Sequence, residues 1–215
     1  MSRKLEVYHI VIPAVYSSMA RQIRQNTKDW DNVVLICLLK GGFYLFSKLM
    51  VHFSWKLSDG TESKSGGSRI GFMALRSYHM EKQSSDVEVT YHLDLDPEDI
   101  TGREVWIIDD ILDSTKTISI ATSMVLKHGP KSVKWAVLVD KVLLGQNNRP
   151  TPSVCGIVIQ EDVFLVGCGM GLDEQYRNTD ILYKVVENVD DTSTGSTTPI
   201  RSREGSSTVC PVPQE

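Results

Sequence analysis

Along the chain, short runs of consecutive apolar residues alternate with stretches whose apolar positions recur every three or four residues. Val33–Leu39 is apolar throughout, the pattern of a strand buried on both faces of a parallel sheet. Phe43, Phe46, Leu49, Met50 and Phe53 follow at helical spacing and predict a helix laid on that sheet. Residues 69–75 read as another strand, 77–92 show no periodicity, and 105–108 are again a buried strand. Ile118, Ala121 and Val125 mark one face of a helix that Gly129 and Pro130 stop. Strands are predicted at 135–139, 155–159, 164–166 and 181–186. Alternating strands and helices imply an α/β domain with a mostly parallel sheet.

Two segments break the pattern. Residues 188–215 hold ten Ser/Thr, three Pro and two Gly with no aromatic, too little apolar surface to offset the entropy of ordering. The folded domain is therefore expected over 1–187, with 188–215 a disordered tail. In 58–68, seven of eleven residues are Gly or Ser, which predicts an exposed connection within the domain. The remaining length, at 41% apolar over the 215 residues, suits one core.

Charge and cysteines narrow the function. Lys and Arg number 23 against 27 Asp and Glu, a net charge of −4 that disfavours nucleic acid or anionic lipid as partner. No run approaches the ~20 apolar residues of a membrane span, and the polar first residues do not resemble a secretion signal. Cys37, Cys155, Cys168 and Cys210 lack zinc-binding spacing and are too sparse for a disulfide scaffold. They read as reduced thiols, and the cytoplasm is the expected location.

Chemistry concentrates between Val105 and Thr117. A buried strand runs into Asp109 and Asp110, and Asp113 then opens the turn Ser114-Thr115-Lys116-Thr117 before a helix. Ligands gather at such strand ends. Successive N–H groups and hydroxyls at a helix N-terminus make a phosphate cradle. An acid pair beside it repels a bare polyanion, so it calls for ligand hydroxyls or a divalent cation. Sugar phosphate with magnesium meets both demands. The bland alternative is that Ser114 caps the helix and the acids are solvated.

This segment resembles the phosphoribosyl-diphosphate motif of type I phosphoribosyltransferases, an acid pair followed by Asp-Ser/Thr-Gly-x-Thr. Other pieces are similar, in order, to the hypoxanthine-guanine branch of that family: Leu39-Lys40-Gly41-Gly42, Ser77-Tyr78, Val139-Asp140-Lys141, Phe164-Leu165-Val166-Gly167 and Tyr176-Arg177-Asn178. The resemblance spans about residues 5–187 and implies a twisted, mostly parallel sheet with a small hood over the strand ends.

Carried over residue by residue, it implies that Asp109 and Asp110 hold the ribose hydroxyls, directly or through Mg2+. Asp113 would move a proton at purine N7, and Ser114, Thr115, Lys116 and Thr117 would hold the phosphate. Lys141 would donate to the 6-oxo group and oppose the amino group of adenine, with Phe164 stacking on the base and the Leu165 backbone at its other edge. Lys40, Gly41 and Arg177 would bind pyrophosphate, with a non-proline cis peptide before Lys40. Ser77 and Tyr78 would ride a mobile loop that closes over the site. Considered alone, Lys40 and Lys141 read as surface lysines and Phe164 as core.

Three positions depart from the family. Gly171 stands where a metal-contacting Asp is usual, Thr115 where Gly is common, and Cys168 where an aromatic is common. A β-branched Thr115 resists positive φ, and Gly171 implies weak catalysis or a high magnesium requirement. The expected activity is joining hypoxanthine or guanine to phosphoribosyl diphosphate in a homodimer or homotetramer. The alternative is a low-turnover regulator that binds phosphoribosyl diphosphate or nucleotide on the same fold. A receiver domain fails on the position of its acid pair, and a dinucleotide site at Gly167-Cys168-Gly169-Met170-Gly171 fails because Leu172 replaces the last Gly.

Overall fold

The computed structural model describes residues 3–11, 13–53, 68–79, 87–143, 149–187 and 208–209. Of the predicted connection at 58–68 only Ser68 is described, and of the tail expected to be disordered only Thr208 and Val209, which pair as a strand with Val158 and Ile157. Five parallel strands form the centre: β2 (Val33–Leu39), β3 (Arg69–His79), β5 (Glu104–Leu112), β6 (Ser132–Lys141) and β7 (Val154–Ile159). Antiparallel β4 (Val87–Leu93) and β10 (Thr208–Val209) close the two edges, giving the order β10-β7-β6-β5-β2-β3-β4.

The apolar run of β2 divides between two cores. Val33, Leu35 and Cys37 face α1 (Pro13–Gln25) and α2 (Gly42–His52), while Val34, Ile36 and Leu38 face α3 (Pro97–Ile100) and α4 (Thr115–Leu126). A strand with both faces covered has no polar position to offer, which is why its sequence does not alternate. A second sheet, β1 (Arg3–Ile10), β9 (Ile181–Glu187) and β8 (Leu165–Val166), packs its Leu165, Val166 and Leu182 inward as the hood. Its strands are antiparallel, so a short strap over 167–180 links β8 to β9.

Two expectations change here. Residues 77–92 were expected to lack strand character, but Ser77, Tyr78 and His79 extend β3 and pair with Val89, Glu88 and Val87. Backbone pairing at the sheet edge forms this ribbon, and an edge pair needs no continuous apolar run. The four cysteines are not all reduced: Cys155 is disulfide-bonded, whereas Cys37 and Cys168 are free and buried.

Candidate active site

The sequence places the acid pair after the strand; in the structure both acids lie within it. Pairing of β5 with β2 ends at Cys37↔Ile108, while pairing with β6 continues to Leu112↔Asp140. Asp109 and Asp110 therefore sit beside the turn that leaves β2. Asp109 Oδ1 accepts the Asp110 N–H at 2.9 Å, and Asp110 Oδ1 accepts the Ile111 N–H at 2.8 Å. Burial, and then the charge of Asp110, pushes Asp109 well above the usual carboxylate range. Burial also raises Asp110, against hydrogen bonds from Asp109 and the Ile111 N–H and the field of Arg177.

The turn against these acids has no room for side chains. A Cβ on Gly41 would lie 1.9 Å from Asp110 Oδ2, and one on Gly42 would lie 2.6 Å from the Ile108 carbonyl. Backbone thus packs directly on the acid pair. The Leu39–Lys40 peptide is cis, as the resemblance implies.

On the other side of the pair, Asp113 through Thr117 are all exposed. Ser114 is extended and makes no side-chain cap hydrogen bond to α4, so its hydroxyl is not spent on capping. The expected conflict at Thr115 does not arise. Thr115 is the first residue of α4, and among the described residues the non-glycine positions with positive φ are Cys168, Asp173, Glu174 and Tyr176. These elements enclose a cleft of about 370 Å³ lined by Leu38, Leu39, Gly41, Leu75, Asp109, Asp110, Ile111, Asp113, Ser114, Lys116, Thr117 and Ile120.

Beyond Asp113 lies Lys141, at the end of β6. Its Nζ is 3.2 Å from Asp113 Oδ1 and 2.9 Å from Asp162 Oδ1, and its side chain is 7% exposed. Burial draws its pKa down, but hydrogen bonds to Asp162 and Asp113 outweigh this and leave it raised. An ammonium has three donors, so two carboxylates leave one for a ligand. Phe164 is 55% exposed, free of the core that its sequence alone suggests. Leu165 turns its side chain inward while its backbone pairs with β9.

Lys40 and Arg177 meet through a residue that the sequence does not single out. Glu174 Oε2 lies 3.0 Å from Lys40 Nζ and 3.5 Å from Arg177 Nη2. Arg177 also donates from Nη1 to the Gly169 carbonyl at 2.8 Å. Gly169, at φ +103, lies so close to Gly41 that an added Cβ would be 2.1 Å from its carbonyl oxygen. The strap thereby presses on the turn after β2. Gly171 lies under Arg177, whose Cζ would be 2.7 Å from an added Cβ. The backbone of Ser77 and Tyr78 lies on the ribbon where β3 pairs with β4.

The cleft thus joins an acid pair to an exposed helix N-terminus, with the buried Lys141 ammonium paired to Asp113 at one side and Arg177 held on the strap that packs against Gly41. Residues 12–175 match the model of the phosphoribosyl transferase domain, and the chain belongs to the phosphoribosyltransferase family. Its relatives include hypoxanthine-guanine phosphoribosyltransferases of Bos taurus and Sus scrofa. Each is 32% identical, over 81% of this chain and 77% of the relative. A crystal structure of a hypoxanthine-guanine phosphoribosyltransferase from Bacillus anthracis superposes with a TM-score of 0.65 at 25% identity, over 86% of this chain and 100% of that one.

Proposed function

We propose that this protein transfers the 5-phosphoribosyl group from phosphoribosyl diphosphate to N9 of hypoxanthine or guanine, giving IMP or GMP and pyrophosphate. The observation that carries the reading is the single cleft holding Asp109, Asp110, Asp113 and the Ser114–Thr117 turn, with Lys141 paired to Asp113. The relatives named for this activity support it.

In this reading the phosphate of the ribose rests on the N–H groups and hydroxyls of Ser114, Thr115, Lys116 and Thr117. Asp109 and Asp110 hold the ribose hydroxyls, and Lys40, the Gly41 N–H and Arg177 hold pyrophosphate. Lys141 gives its remaining N–H to the 6-oxo group, and Phe164 stacks on the base. The C1′–oxygen bond to pyrophosphate breaks as N9 bonds to C1′, and Asp113 takes the proton displaced from the purine at N7. As positive charge grows on the ribose and base, the same carboxylate stabilises it. Ser77 and Tyr78, on the β3–β4 ribbon, would cover the site and exclude water.

A divalent cation fits the acid pair, because two adjacent, nearly buried carboxylates lining one cleft call for a compensating positive charge. Among the described residues no group of three or more His, Cys, Asp or Glu could hold a metal, so substrate oxygens and water would complete its shell. Mg2+ held by Asp109 and Asp110 would neutralise charge on the diphosphate.

We assign the activity to residues 1–187, which contain every residue named above, and place the enzyme in the cytoplasm as a homodimer or homotetramer. Among the described residues no helix is long and apolar enough to cross a membrane. The test is pyrophosphate release from phosphoribosyl diphosphate with magnesium and guanine. Release that needs both the base and the metal supports the reading; tight binding of phosphoribosyl diphosphate without release would overturn it.

A further inference from the structure

Arg149 lies outside the cleft, yet it touches the residues immediately before both Asp113 and Lys141. Its side chain is 10% exposed, with Nη2 2.6 Å from Asp140 Oδ1, and Asp140 is itself only 7% exposed. The same nitrogen donates to the Leu112 carbonyl at 3.2 Å. Leu112 ends β5 and is followed by Asp113; Asp140 precedes Lys141 in β6.

Ladder pairing between the two strands stops at Leu112↔Asp140, one residue short of the Asp113–Lys141 pair. Beyond that point β5 turns away through Ser114 into α4. The backbone ladder therefore does not itself fix how far Asp113 stands from Lys141. The Arg149 guanidinium bridges the two strands at that point: its planar Nη2, with two N–H groups in fixed directions, lies against a carbonyl of one strand and a carboxylate of the next at once. Burial of Asp140 makes this partner costly to remove, since a buried carboxylate without its cation is strongly disfavoured.

We propose that Arg149 is a positioning residue that sets the separation between the Asp113 carboxylate and the Lys141 ammonium. It acts through Leu112 and Asp140 and touches no substrate. The inference rests on the roles proposed above for Asp113 and Lys141. Its consequence is expected in the base half of the site, because Asp113 and Lys141 directly follow the two residues Arg149 contacts, whereas Lys40 and Arg177 are held by Glu174 and Gly169.

The test compares wild type, Arg149→Lys and Arg149→Ala for kcat, for KM of hypoxanthine and of phosphoribosyl diphosphate, and for Tm. Misplacing catalytic groups by about 1 Å costs up to ~10²-fold. Arg149→Ala is expected to lower kcat and raise KM for hypoxanthine by about tenfold each, leaving KM for phosphoribosyl diphosphate within about twofold. Millimolar guanidinium should restore kcat in Arg149→Ala. Arg149→Lys, which keeps a charge for Asp140 but lacks the rigid planar group that reaches both strands, should lie between the two. If Arg149→Ala does not fold, Arg149→Lys decides by the same split between the two KM values. A lower Tm with wild-type kinetic constants, or equal losses for both substrates, would overturn the proposal. An inactive wild type would instead overturn the assigned reaction.

Discussion

The Nζ of Lys141 stands 3.2 Å from Oδ1 of Asp113, so the group assigned to read the base and the group assigned to take its proton form one ion pair. If those roles hold, base selection and proton transfer are coupled through this pair. Lys141→Ala should weaken hypoxanthine and guanine binding by ~1.5–3 kcal/mol, the loss of a charged donor to a buried acceptor. Phosphoribosyl diphosphate, assigned above to the Ser114–Thr117 turn and the acid pair, should lose much less. Calorimetry of each ligand checks this, and equal losses would contradict the assignment.

Asp113→Asn keeps the shape of the side chain and removes the base. Turnover should fall by ~10²–10⁴ with phosphoribosyl-diphosphate affinity nearly unchanged. Single-turnover kinetics measure the chemical step directly, and unchanged turnover would remove Asp113 from its role.

The strands that sequence made plain are those covered on both faces: β2, β6 and β7 are uninterrupted or nearly so because two cores share their side chains. The predicted strand at 105–108 is the start of β5, whose end was missed because Asp109 and Asp110 look like a terminus while their ladder to β6 continues. Edge ribbon β3–β4, with one open side, has no such signature. The acid pair and Asp113 were legible because acids directly after a buried run, with a third acid and a hydroxyl turn following, are unusual, whereas Lys141, an ordinary surface lysine when considered alone, stood out only through the family resemblance. Glu174, Asp162 and Arg149 were not legible. Each is a charged loop residue, ordinary in sequence, whose partner lies across the fold at Lys40, Lys141 or Asp140. The Asp173-Glu174-Gln175-Tyr176-Arg177 segment held the one available hint, two charges three residues apart, 174 and 177.

Gly171 shows where the structure adds to the sequence reading. Any side chain there meets Arg177, with an added Cβ 2.7 Å from Cζ and 3.0 Å from Cγ. Gly171→Ala and Gly171→Asp should therefore both raise KM for phosphoribosyl diphosphate by displacing the guanidinium. If a carboxylate here assists the metal, Gly171→Asp should reach half-maximal rate at lower magnesium than Gly171→Ala. Rate against magnesium concentration for both variants checks this; indistinguishable curves would show that the carboxylate does not reach the metal.

Two buried thiols make stability fall at high pH. Burial, with added repulsion from nearby acids, raises Cys37 from 9.0 to about 12, and burial likewise raises Cys168 to about 12. Between those values the unfolded chain has lost protons that the native chain keeps, so stability declines as pH rises from about 9. Denaturant melts from pH 8 to 11 should show this decline, and Cys37→Ala should reduce its slope. A flat profile would contradict the burial of both thiols.

The most direct measurement is nucleotide formed from phosphoribosyl diphosphate and magnesium with adenine, hypoxanthine, guanine or xanthine supplied one at a time. A fixed ammonium at Lys141 would donate to a 6-oxo group and oppose a 6-amino group. IMP from hypoxanthine and GMP from guanine, with no AMP from adenine, is the result expected. AMP formed as readily as IMP, or no nucleotide from any base, would contradict the account.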